Sequence, residues 1–131
     1  MFSKREKMAL VILLILLVSN FTFPQIYFRY PNVDIPAHFL GGFFVALFFI
    51  GFLRRSLAAE RSLIQDLIII VGASTLVGVL WEFFELIADL TPPLSIDYAR
   101  DILLDLAMDI TGAAAMFFIV RRRHRKSKMF R

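Results

Sequence analysis

The sequence predicts an all-α polytopic membrane protein, a single bundle of four transmembrane helices, and three observations carry that prediction. The 131 residues are 59% hydrophobic with a mean hydropathy of +0.72, well outside the range of a soluble domain. Four apolar runs, Met8–Phe23, Pro36–Leu53, Leu63–Asp89 and Asp101–Val120, are each near the roughly 20 residues a helix needs to cross a bilayer. Thirteen of the fifteen cations flank those runs on one side: Lys4, Arg5 and Lys7, then Arg54, Arg55 and Arg61, then seven between Arg121 and Arg131. Such an excess marks the cytoplasmic face, so both termini are expected in the cytoplasm of a cell whose plasma or inner membrane holds the chain. The net charge of +4 is thereby explained by topology, and nucleic acid is not an expected partner.

The first run is short and follows a basic start, as a signal peptide would. Ser19-Asn20-Phe21-Thr22-Phe23 offers no small-residue cleavage site, so the run is read as a membrane helix. Pro24, Pro31 and Asn32 then form an outer turn. The second run begins at Asp34-Ile35-Pro36-Ala37-His38; Pro36 suits a first helical turn, and Asp34 before it is expected just outside the helix. The third is long and ends in Trp81-Glu82-Phe83-Phe84-Glu85. Pro92, Pro93 and Ser95 make the second outer turn, the fourth run follows, and residues 121–131 form a basic tail, His124 included, against anionic headgroups. Tyr27, Tyr30, Trp81 and Tyr98 fall at the outer interface as an aromatic belt.

The fourth run carries an anomaly. Asp101, Asp105 and Asp109 recur every fourth residue, and near a helix centre each Asp costs about 2.5–3.5 kcal/mol on an insertion scale. Leu, Ile, Phe and Val return only about 0.3–0.6 kcal/mol each, so the apolar residues of this run recover roughly half of the cost. The acidic stripe therefore has to face protein, water, protons or an ion rather than lipid, which makes it a site hypothesis by default. Glu82, Glu85 and Asp89 share a face of the third run, with Ser74 and Gly78 below them, and Asp34 and His38 are one turn apart on the second. In the predicted topology all three stripes converge in the outer half of the bundle. Asp109 lies about 12 Å deeper than Asp101, and the drift of about 40° per i+4 step sets Asp97 apart from the cluster. Gly41, Gly42, Gly72, Ala73, Gly78, Gly112 and Ala113–Ala115 would let the helices approach closely.

Carboxylates with one imidazole suit a hard or borderline divalent cation, Mg, Mn, Zn or Ca. With no cysteine in the chain, thiolate sites and disulfides are excluded. The expected ligand set is Asp34, His38, Glu82, Glu85, Asp101, Asp105 and Asp109, with His38, Glu82 and Asp105 as candidate catalytic groups. Five close carboxylates repel one another unless a cation or retained protons compensate. Duller readings stand beside this one: a hydrated helix end for the aspartates, hydrogen bonds to neighbouring helices for Glu82 and Glu85, a cap for Asp34, a packed histidine for His38 and an interfacial anchor for Trp81.

The combination Asp34-x3-His38-x2-Gly41-Gly42, Trp81-Glu82-x2-Glu85 and Asp101-x3-Asp105-x3-Asp109-x2-Gly112-Ala113 resembles the YjdF-type inner-membrane proteins. More loosely it is similar to the VanZ-like membrane proteins, some of which are associated with glycopeptide-antibiotic resistance. The resemblance covers roughly residues 30–115 and implies a shared polar site rather than a reaction. CDP-alcohol phosphotransferases also use intramembrane aspartates, but Asp97-Tyr98-Ala99-Arg100-Asp101 lacks their D-x2-D-G start. Rossmann, P-loop, HExxH and GxSxG signatures are absent as well.

Three function classes follow. The first is a metal-dependent hydrolase or transferase acting on a lipid or lipid-linked phosphate, with Arg29 and Arg100 helping to offset phosphate charge. The second is a proton- or cation-conducting protein, against which stands the scarcity of polar residues in the inner half, chiefly Ser74, Thr75 and Thr111. The third is a non-catalytic binding or assembly protein holding a structural ion. Membrane lipids are partners in each, and the small buried surface of four short spans leaves room for a homo-oligomer.

Overall fold

Four helices account for the structure, a computed structural model that describes residues 2–23, 30, 33–56, 61–88, 90 and 96–129, with the backbone alone at 55–56, 96–97 and 124–129. They are α1 (Lys4–Thr22), α2 (Asp34–Ser56), α3 (Leu63–Ile87) and α4 (Ile96–Met129). Two start on capping boxes. Ser3 and Glu6 cap α1, the Ser3 N–H donating to Glu6 Oε2 at 2.7 Å, and Ser62 and Gln65 cap α3 in the same reciprocal way. Each box satisfies two backbone donors that a helix start leaves over.

α2 is the central element. It packs most extensively on α4, and α1 and α3 lie against it as well. His38 approaches Asp109 at one end of the α2–α4 pair, and Ile50 and Leu53 share a core with Phe117 and Val120 at the other. α2 and α4 are therefore parallel, and α3 returns between them: Glu82 nears His38 while Ile70 joins the Ile50 core. α1 runs opposite to α2, Glu6 lying against Gly51 and Asn20 reaching Glu85. One end of the bundle is thus acidic and the other, with Arg54, Arg61 and Arg121 around a shared cavity, basic.

Glycine lets α2 and α4 touch through their backbones. A Cβ at Gly42 would collide with the main chain of Asp109, and one at Gly112 with the carbonyl of Phe39. Ala46 and Ala113, both fully buried, continue the seam, the small-residue packing that brings membrane helices together. Gly72 takes no part in it, since nothing lies within 4 Å of a Cβ built there.

The burial pattern is inverted relative to a soluble protein. Ile68, Leu76 and Leu103 are 60–69% exposed, while His38, Glu82, Glu85, Asp105 and Asp109 are 3–7% exposed. Exposed apolar surface on this scale marks contact with an apolar phase. Among the described residues, three helical segments are long and apolar enough to cross a membrane: Asp34–Arg54, Leu63–Ile87 and Tyr98–Arg123. Three of the four expected crossings meet this criterion, and α1 falls short of it. Lys4, Arg5, Glu6 and Lys7 occupy the first turn of α1, leaving an apolar stretch of about 22 Å against a hydrocarbon core of about 30 Å.

The boundaries move too. α2 begins at Asp34 rather than Pro36, so Asp34 is inside the first turn, where a proline two residues later removes no intrahelical donor. α4 begins at Ile96 and carries the basic tail onward to Met129 as helix. The tail's Arg and Lys side chains have helix propensities close to that of Leu. Asp89, Tyr27 and Arg29, and the side chains of Asp97 and His124, lie outside what is described.

Candidate functional site

His38 sits in the second turn of α2, 5% exposed, and three helices deliver carboxylates to its two ring nitrogens. Nδ1 lies 3.4 Å from Asp109 Oδ2. Nε2 lies 3.6 Å from Asp34 Oδ1, one turn back on its own helix, and 3.7 Å from Glu82 Oε1 on α3. The last two separations exceed a hydrogen bond. The imidazole is therefore held by Asp109 on one edge and stands between the Asp34 and Glu82 carboxylates on the other.

Asp109 reaches Nδ1 because the facing helices are bare there. Its Oδ1 is 3.6 Å from a Cβ built at Gly41, and its Oδ2 occupies the space a Cβ at Gly78 would need. Glu85 is fixed from the opposite side. Its Oε1 accepts from Asn20 Nδ2 at 2.7 Å and from Trp81 Nε1 at 2.8 Å, which leaves the other oxygen for the cluster. Glu82 Oε1, in contrast, is buried without a hydrogen-bond partner among the described residues. An unpaired buried carboxylate oxygen is costly and requires an account.

Two sets of donor atoms lie within 4.8 Å of one another, Asp34–His38–Asp105 and His38–Glu82–Glu85, and His38 belongs to both. A carboxylate- and imidazole-bound cation has ligands at about 2.0–2.2 Å for Zn and about 2.3–2.6 Å for Ca, so opposed donors stand about 4–5 Å apart. Both donor sets have the spacing and chemistry that could hold a divalent cation. Two ionised carboxylates about 4 Å apart repel by about 4 kcal/mol at an effective dielectric of 20. Protons or a cation must relieve that repulsion.

The structure brings six of the seven residues expected as ligands to this one place. Asp101 is left out, exposed at the rim and in neither donor set. The cause is helical phase: Asp101 and Asp109 are eight residues apart and differ by about 80° around the axis. Two participants had no part in the expected set. Trp81 donates to Glu85 rather than serving only as an interfacial anchor, and Asn20 supplies the second donor from α1. Asn20 carried no distinguishing signal in the sequence, since it stands close to Ser19 and Thr22 and its partner lies 65 positions away.

Asn20, Ala37, His38, Gly41, Val77 and Asp109 are among the residues around a cavity of about 90 Å³ between α1, α2 and α3. It has ample room for water, which needs about 10–15 Å³. Against known proteins, a family model described as "Predicted membrane protein (DUF2238)" matches residues 5–126. No curated protein and no solved structure matches the chain.

Proposed function

The chain belongs to the DUF2238 family of predicted membrane proteins, and from that premise we propose that its buried His–carboxylate cluster binds a divalent cation at the extracytoplasmic side of the membrane. The division of labour at His38 carries the reading. Ligating histidines commonly turn their second nitrogen to a carboxylate, which fixes the tautomer and makes the ligating nitrogen more basic. Asp109 has that orienting position on Nδ1. Nε2 is then free for the ion, with Asp34 and Glu82 on either side of it and Asp105 and Glu85 completing the two donor sets. Mg, Mn, Zn and Ca all suit such donors.

The ion would supply Lewis acidity toward a phosphoryl or carbonyl oxygen and a more acidic bound water. The residues supply the rest. Glu82, with an oxygen that no protein group holds, is positioned to take a proton from water, and Asp105 and His38 hold the opposite side of the cluster. A lipid or lipid-linked phosphate is the substrate class proposed, for a hydrolase or transferase, because the cluster is embedded in a bundle whose outer surface is apolar. Both termini are proposed to be cytoplasmic, on the strength of the basic end. A fourth crossing by α1 is part of the same proposal, supported by its course along α2 from Gly51 to the level of His38. The kinship with YjdF-type and VanZ-like proteins belongs to the proposal too, resting on the spacing of the same acidic and His residues.

The test is titration of the purified chain in nanodiscs with Mn²⁺ and Zn²⁺, with bound ion counted by elemental analysis. Asp109→Asn is expected to weaken binding about 10–100-fold, the usual cost of losing an orienting partner. Asp101→Asn is expected to leave it unchanged. No saturable binding to the wild-type chain would overturn the reading, and cation flux through the intact protein in liposomes would replace it with transport.

A further inference from the structure

α1 and α3 both pack on α2 but have little contact with each other. They meet at the acidic end, where Asn20 bonds Glu85 and the rings of Phe21 and Phe84 stand 5.4 Å apart. Toward the basic end the two helices leave a cleft whose floor is α2. Its walls are ordered by polarity. At the acidic end they carry Asp34, Asn20 and His38; further along they become Leu16 and Leu13 on α1, Val45 on α2 and Val77 on α3. Val77 is 37% exposed, and the neighbouring Leu14 and Leu76 are 57% and 60% exposed, so the cleft opens sideways among surfaces that face lipid. Ser74 lines it as well, 1% exposed, and its hydroxyl has no hydrogen-bond partner among the described residues. Thr75 beside it bonds the carbonyl of Val71 in the ordinary helical way. A buried hydroxyl without such a bond needs a partner such as water, and independently of it a cleft that is polar at one end and mostly apolar along its length suits an amphipathic occupant.

We propose that this cleft is a lateral entrance that seats one hydrocarbon chain of an outer-leaflet lipid, with the lipid's polar group brought against the His38 cluster. The polarity runs the same way as such a lipid does, head toward the acidic end and chain toward the bilayer centre. Size agrees: about 90 Å³ is well below the roughly 300 Å³ at which drug-sized ligands are enclosed, and suits a length of one chain whose remainder stays in the membrane. Water within the cleft would serve Ser74 beside the chain. The inference rests on the proposed role of the His38 cluster for the identity of the polar end, and on the cleft alone for the chain.

The experiment uses the full chain in nanodiscs containing a phosphatidylglycerol with a diazirine in its acyl chain, photolysis, and peptide mapping of the adducts. Adducts at Leu13, Leu16 and Val77 are expected to exceed those at the outward-facing Ile68 and Leu103 by about tenfold, a site preference of about 1.4 kcal/mol. Leu16→Trp, and from the other wall Val77→Phe, should reduce the cleft adducts to the level of the outward faces while Mn²⁺ binding stays as in the wild type. Even labelling over all apolar faces of the wild-type chain would overturn the proposal, and so would cleft labelling that both filling substitutions leave intact. Cleft labelling with no Mn²⁺ binding would sink the ion reading alone; Mn²⁺ binding with even labelling would sink this inference alone.

Discussion

His38→Ala is expected to lower divalent-ion affinity by at least about 100-fold, close to 2.8 kcal/mol at 1.4 kcal/mol per tenfold. Both donor sets contain His38, so its loss removes a ligand from either arrangement an ion could adopt. It also leaves Asp34, Glu82 and Asp109 without the group that each now faces. A loss of this kind could come from ligation or from damage to the fold, and His38→Gln separates the two. The amide can still donate toward Asp109, but it lacks the imidazole's basic second nitrogen. Zn²⁺ is the ion to titrate, because it prefers imidazole to an amide oxygen whereas hard cations accept either: if His38 is a ligand, Gln binds Zn²⁺ nearly as poorly as Ala; if it is a packed, hydrogen-bonding histidine, Gln restores binding. Thermal unfolding gives an independent reading. An ion bound only by the folded state stabilises it by about 2.7 kcal/mol at 100 times Kd, so Mn²⁺ should raise the Tm of the wild type and leave that of His38→Ala where it is. An equal rise in both would remove His38 from the site.

Much of this site was legible because charge in a membrane helix is expensive enough to have few explanations. Asp105, Asp109, Glu82 and Glu85 could be assigned to the interior from their cost in lipid and their helical spacing, and the three stripes could be brought to one level once cation placement had set the direction of each helix. What the spacing did not determine was rotation. The four-residue period of the aspartates approximates a helical turn without equalling it, so Asp101 turns out to the rim while Asp105 and Asp109 face His38. Nor did composition show which helix closes the cluster from the side. α1 contributes by one amide, Asn20, whose bond to Glu85 spans 65 positions of sequence and has no local signature.

The charged first turn of α1 also has a structural consequence that hydropathy did not reveal. Glu6, 1% exposed, caps its own helix and fills the space that Gly51 leaves on α2. The residues that shorten the apolar run of α1 therefore help attach its basic end to the bundle.

Gly112→Val is expected to be the most damaging single substitution in the fold, destabilising the protein by about 3 kcal/mol or more, the upper end of what overpacking costs. The obstacle to any side chain at this position is main chain: the carbonyl of Phe39 and the amide nitrogen of Phe43. A flexible side chain could rotate away from a new methyl group, but backbone inside a helix cannot. Relief comes only by separating α2 from α4, the pair with the most extensive packing, and that separation also withdraws Asp109 from His38. Stability and ion affinity should therefore fall together, the first read from denaturant unfolding in mixed micelles and the second from Mn²⁺ titration of the fraction that still folds. Gly42→Val should do the same from the opposite side, since its Cβ would meet the main chain of Asp109. Gly72→Ala supplies the contrast. It is a helix-interior glycine with open space around it, where alanine is the better helix former by about 1 kcal/mol, so it should leave stability unchanged or raise it. If Gly112→Val unfolded no more readily than Gly72→Ala, α2 and α4 could not be in backbone contact at this crossing, and the approach of Asp109 to His38 that depends on it would fall as well.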